Sequence, residues 1–109
     1  YDSLMPQTVT GTYTGNGEYE QFIDLGFTPS SVEVYTSDGR QYVYNGTGEG
    51  YYGGMALRGQ DCSYTPSYNT WRTIITVVDG GFKVFYNVSN NDGAKANENN
   101  TLFYYKATR

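Results

Sequence analysis

The chain has 109 residues, the size of one domain and enough for a single modest hydrophobic core. Its formal charge is −4, with seven Lys and Arg residues against eleven Asp and Glu, so no basic stripe is available for duplex nucleic acid or an anionic membrane. It has no histidine and a single cysteine, Cys62, which removes Ser–His and Cys–His nucleophiles, the commonest zinc ligand and any disulfide within the chain.

Thirteen tyrosines, with many Thr and Val residues, favour strands over helices. YDSLMPQ, residues 1–7, reads as an extended arm or linker remnant shaped by Pro6. The chain opens at Tyr1 rather than at a start methionine, as expected of a processed product or one module of a longer protein. No apolar run approaches the ~20 residues of a membrane helix.

TVTGTYT then alternates, with Val9, Gly11 and Tyr13 on one face and threonines on the other, which predicts a strand. GNGE supplies a turn, with Asn16 and Gly17 suited to positive φ. EQFIDL is a second strand, ended by GFTPSS and its Pro29. SVEVYTS is the third, with Val32 and Val34 facing inward beside Thr36. Asp38-Gly39 signals a hairpin, and RQYVYN reads as its return strand.

WRTIITVVD is the most apolar stretch, and Ile74, Ile75, Val77 and Val78 predict a central strand covered on both faces. Asp79-Gly80-Gly81 turns it into GFKVFYNV, where Phe82, Val84, Tyr86 and Val88 share a face. NNDGAKANENN reads as a mobile polar loop, and TLFYYKAT closes the chain with Phe103, Tyr105 and Ala107 aligned. The sum is an all-β fold: an antiparallel β-sandwich of about seven to eight short strands over residues 8–109. Its expected core is Val9, Val32, Val34, Ile75, Val77, Phe82, Val84 and Phe103.

Residues 46–71, GTGEGYYGGMALRGQDCSYTPSYNTW, lack the alternation of a strand and read as a long loop between strands. Tyr13, Tyr35, Tyr42, Tyr44, Tyr86, Tyr104 and Tyr105 belong to strands, which leaves Tyr51, Tyr52, Tyr64 and Tyr68 in this segment. Tyr and Trp pair an apolar face with a polar tip, suited to sugar faces and to protein contacts alike. Arg58, Gln60, Asp61 and Asn69 can supply directional hydrogen bonds, and the candidate ligand-binding set is Tyr51, Tyr52, Arg58, Asp61, Tyr64, Tyr68, Asn69 and Trp71. Trp71 stands at a strand start and suits a core role equally well. In the alternative reading the loop folds back, and its tyrosines cap the sandwich or meet a neighbouring subunit. Met55 and Leu57, flanking Ala56 in a strand-like run, argue for the subunit contact.

Glu49 and Asp61 are the carboxylates a hydrolase would use, but a glycine-rich loop does not supply the dry pocket that raises a catalytic acid's pKa. The expectation is a protein that is not an enzyme and has no cofactor. The oxygen-rich residues between Asn90 and Asn100 suit calcium in type but match no EF-hand spacing, and a polar turn explains them as well. Sequons at Asn45, Asn87 and Asn99 matter only in a protein secreted by a eukaryote.

The segments GTYTGNGEYEQFIDLGFTPSSVEVY, GGFKVFYNV and NNTLFYYKAT resemble a β-sandwich module of bacteriophage virion proteins, mainly tail fibres and other appendages. The pattern is an opening GxYxGNG, an apolar strand leading into LGFxPxxVxV, then GFxV, and a closing aromatic–x–aromatic–x–Ala. Here these are residues 11–17, 25–34, 81–84 and 103–107, and the match leaves residues 46–70 uncovered. More distantly, GFxPxVxV is similar to the six-stranded H-type lectin sandwiches, with no counterpart here of their sugar-binding residues. The resemblance implies a module on the virion surface that binds a host-surface glycan or protein. Its neighbours would be other virion proteins, and its copies a homo-oligomer with threefold symmetry. The second reading is a purely structural virion protein, a capsid decoration or tail-assembly module whose aromatic loop makes subunit contacts.

Overall fold

The structure is a computed structural model that describes residues 8–44, 49–64, 72–89 and 92–109. The expected N-terminal arm, residues 1–7, lies outside them. Eleven strands make up the described fold: β1 (Thr8–Thr14), β2 (Glu20–Asp24), β3 (Ser31–Thr36), β4 (Tyr42–Tyr44), β5 (Glu49–Tyr51), β6 (Gly54–Leu57), β7 (Cys62–Tyr64), β8 (Arg72–Val78), β9 (Gly81–Ser89), β10 (Asp92–Lys95) and β11 (Leu102–Thr108).

They form an all-β sandwich of two sheets. The first has four strands in the order β1-β11-β3-β6, every pair antiparallel. The second has seven, in the order β4-β5-β10-β9-β8-β7, with β2 also bonded to β9. Strand β9 organises this sheet, pairing with β2 and β8 through its first residues and with β10 through Tyr86–Ser89. One pair departs from the antiparallel expectation: β5 and β10 run parallel, Gly50 beside Gly93.

The core follows from the alternation. Val32, Val34 and Thr36 turn inward from β3, with Phe103 and Ala107 from β11, Tyr13 from β1 and Ala56 from β6. Ile75, Phe82, Val84 and Ala94 meet them from the second sheet. The Tyr13 ring stacks on Phe103 at 5.1 Å and meets Phe82 edge-on at 6.2 Å, while its hydroxyl donates to the Ala96 carbonyl at 2.5 Å. Burial pushes the Tyr13 hydroxyl pKa well up. Each fully buried Phe or Val contributes about 1.5–3 kcal/mol. In β8, Ile74 and Ile75 are 2% and 0% exposed, so the strand is covered on both faces at that point, as its apolar run predicts. Val77 packs against the core only in part. Val9 is 38% exposed and lies outside it, because β1 is an edge strand and β11 flanks Val9 on one side only.

Two turn readings meet different outcomes. Asp79-Gly80 closes a tight hairpin, with Val78 opposite Gly81 and Gly80 at φ 85°. Asp38-Gly39 also makes a turn, with Gly39 at φ 86° and the Thr36 amide donating to Arg40 O at 2.8 Å. Yet β4 does not return along β3. Both edges of β3 are taken, by β11 and β6, so the chain crosses to the second sheet and pairs with β5. The Gln41 side chain marks the crossing by donating to the Val34 carbonyl at 3.0 Å.

The segment expected to be a mobile polar loop contains β10, followed by fully buried Ala96 and Asn97. It is held by the GNG motif. Gly15 N donates to Thr101 O, Asn100 N to Gly15 O, and Gly17 N to Asn97 O, all within 3.0 Å. A Cβ on Gly15 would lie 2.0 Å from the Glu98 carbonyl, so only glycine permits this approach. Gly17 takes positive φ as predicted, but among the described non-glycine residues it is Asn100, not Asn16, that does so.

Candidate functional site

Residues 49–64 are not a loop: they supply β5, β6 and β7. The glycines that disguise them serve close approach. A Cβ on Gly53 would lie 2.0 Å from the Val34 carbonyl, and one on Gly54 would lie 2.6 Å from Cys62 Sγ. Strand β6 becomes the edge of the four-stranded sheet, with Ala56 inward and Met55 and Leu57 outward at 56% and 46% exposure. Burial raises the Cys62 thiol pKa, the opposite of what a reactive thiol needs.

The candidate residues divide between two neighbourhoods. Tyr51 lies in β5, packed against the core with its ring 5.1 Å from that of Tyr42. Tyr52 follows it, half-buried, its amide donating to Gln41 O at 2.8 Å and Lys95 Nζ 5.8 Å over its ring. Burial raises the Tyr52 pKa, and nearby Glu98 adds to the rise. Arg58 stands at the β6–β7 turn and reaches the LGFTP corner. Its Nε donates to Pro29 O at 3.1 Å and its Nη2 to Thr28 O at 2.7 Å. Asp61 accepts a hydrogen bond from the Thr76 hydroxyl of β8. Arg58 thus ties the β6–β7 turn to the corner before β3, and Asp61 ties that turn to β8. Tyr64 ends β7, its backbone opposite Arg72. Tyr68, Asn69 and Trp71 lie outside the described residues.

Around the second pair, an open cleft of about 470 Å³ is lined by Gly59, Gln60, Asp61 and Ser63. Around the first lies a narrower cleft of about 240 Å³ with more varied chemistry. The β3–β4 turn gives it Thr36, Ser37, Asp38 and Arg40; Val43 and Tyr52 form a wall; the β10–β11 turn adds Glu98 and Thr101. Arg40 Nη2 meets Asp38 Oδ2 at 2.7 Å, the Thr36 hydroxyl donates to Asp38 Oδ1, and Arg40 N donates to Thr36 Oγ1 at 3.0 Å. The bond from Arg40, seconded by that from Thr36, lowers the Asp38 pKa to about 2. Thr101 Oγ1 donates to Glu98 Oε1 at 2.9 Å, which orients the carboxylate and leaves it a second oxygen to accept with.

This cleft combines two carboxylates, a guanidinium, hydroxyls and an aromatic wall. Such a site can recognise a small polar ligand. Of its residues only Tyr52 belongs to the set expected from sequence. Asp38, Arg40, Glu98 and Thr101 sit in turns 60 residues apart, and their turn chemistry gives no sign of the convergence. Among the described residues no group of three His, Cys, Asp or Glu side chains is placed to hold a metal ion. Asn97, within the calcium-type segment, spends its amide on Asn16 and Glu18. The chain matches no family model, no curated protein and no solved structure.

Proposed function

We propose that this chain is a non-enzymatic module of a bacteriophage particle, carried on the virion surface and contacting a host-surface glycan or protein. The observation that carries the reading is the cleft of Tyr52, Asp38, Arg40, Glu98 and Thr101, whose aromatic wall and mixed donors and acceptors suit recognition. A glycosidase acid needs a carboxyl held protonated by a dry pocket, and Asp38, held ionised by Arg40 and Thr36, does not supply one. The segments that resemble phage appendage modules are those that make β1, β2, β3, β9 and β11 and dock the GNG and LGFTP turns, so the resemblance speaks for the scaffold.

A second reading, a structural virion protein, draws on Met55 and Leu57. They stand exposed on the outer side of an edge strand, where a neighbouring copy in a trimer would cover them. A glycan array, together with binding to whole host cells, tests the first reading. Binding that is lost on Tyr52→Leu with the fold intact supports it. Failure to bind any glycan or host cell, with assembly into particles intact, transfers the function to the second.

A further inference from the structure

We propose that the cleft between Tyr52, Arg40 and Glu98 is a subsite for a single neutral pyranose ring, gripped through a vicinal diol. The inference rests on the glycan-binding reading above and names its ligand. The volume sets the size. The cleft is open and holds about 240 Å³, room for a ligand of the size of one sugar ring.

The polar groups set the grip. A vicinal diol meets a protein best where an acceptor and a donor lie side by side, because one hydroxyl gives its proton while its neighbour receives one. Glu98 is the acceptor: it lines the cleft, and Thr101 donates to Oε1, which leaves the carboxylate a second oxygen to accept from a ligand. Arg40 is the donor: one guanidinium nitrogen is spent on Asp38 at 2.7 Å, and the others remain. Both groups are oriented before a ligand arrives, Glu98 by Thr101 and Arg40 by Asp38, which limits the entropy lost on binding. Tyr52, fixed by its amide hydrogen bond to Gln41 and by its packing on the core, lines the cleft and gives the sugar ring an aromatic edge to pack against.

Charge sets the class. Asp38 and Glu98 oppose Arg40 within the cleft, and Lys95 over the Tyr52 ring brings the local sum to zero. On a chain of net charge −4, an anionic sugar gains no attraction there.

The test is amide chemical-shift mapping on the full chain, titrated with the methyl glycosides of mannose, glucose and galactose. N-acetylneuraminate and glucuronate form the anionic arm. At least one neutral glycoside should give saturable shifts at Ser37, Asp38, Tyr52, Glu98 and Thr101. Glu98→Gln, which keeps an oxygen for Thr101 but exchanges the second acceptor for a donor, should weaken that binding at least ten-fold with the dispersed spectrum unchanged. Lys106→Gln, exposed on β11 and outside the cleft lining, should leave it unchanged. Preference for an anionic sugar overturns the proposal. If array glycans or host cells bind while the cleft amides stay still, or while Glu98→Gln binds as well as the parent, the subsite falls and the binding reading stands. If neither sugars nor host cells bind, both fall.

Discussion

Replacing Asn97 by alanine tests the account of the GNG motif. The Asn97 side chain is fully buried and makes three hydrogen bonds: Nδ2 donates to Asn16 Oδ1 at 2.6 Å and to Glu18 O at 3.0 Å, and Oδ1 accepts from Asn16 N at 3.2 Å. At about 1 kcal/mol per bond the loss is ~3 kcal/mol, and the partners left unpaired under the turn raise it toward ~5 kcal/mol. For a chain of 109 residues, an unfolding entropy of ~2.1 cal/mol/K per residue turns ~3 kcal/mol into a fall in Tm of ~13 °C. Urea and thermal unfolding measure it, and the Asn16→Ala partner completes a double-mutant cycle. Because the two side chains share a bond, the cycle should return a coupling of about 1 kcal/mol. A loss under ~1 kcal/mol, or full additivity, would refute the claim that this amide pins the β1–β2 turn to the β10–β11 turn.

Arg58→Ala removes the two bonds to Thr28 and Pro29, and with the side chain largely in solvent the cost should be about 1–2 kcal/mol by urea unfolding, with glycan or cell binding unchanged. The folded Asp38 carboxyl sits at about 2 against an ordinary 3.8, so its stabilisation is complete above the ordinary value and is lost as pH falls through the folded one. Asp38→Asn should therefore flatten the acid dependence of unfolding between about pH 4 and about pH 2 and converge with the parent at the low end. Gln21→Met should raise stability by about 1 kcal/mol, because Gln21 Oε1 is buried with no hydrogen-bond partner among the described residues. If a trimer is built on the β6 edge, Met55→Asp with Leu57→Asp should convert it to a monomer in light scattering with the sandwich intact; a trimer that survives both substitutions places the contact elsewhere.

How much of this was legible in the sequence depended on strand length and on what glycine was doing. β1, β3, β9 and β11 each run six residues or more, long enough for period-two alternation to declare an inward face. The two-residue Asp79-Gly80 turn was equally plain, because its chemistry acts locally. β5, β6, β7 and β10 have only three or four residues each, too few for a period to show. Their glycines compounded the difficulty. Gly50, Gly53, Gly54 and Gly93 occupy places where a Cβ would strike a neighbouring chain or ring at 2.0 to 2.9 Å. In sequence such residues look like a flexible connection; in the fold they let backbones and side chains pack closely.

The same distinction separates the two kinds of candidate residue. Arg58 and Asp61 have the right chemistry for a ligand, yet the fold brings backbone carbonyls and the Thr76 hydroxyl to them first. Asp38 and Glu98 look like ordinary turn residues until the chain crosses from β3 to β4 and the Asn97 network docks the β10–β11 turn beside that crossing. The cleft thus depends on Asn97 for its position, although Asn97 does not line it. An Asn97→Ala protein that stays folded at low temperature should therefore lose ligand affinity along with stability. Lowering stability comparably through Ile75→Ala, on the far strand β8, should leave affinity near the parent value. Equal losses of affinity in the two variants would mean that global stability, and not the docking of this turn, sets the cleft.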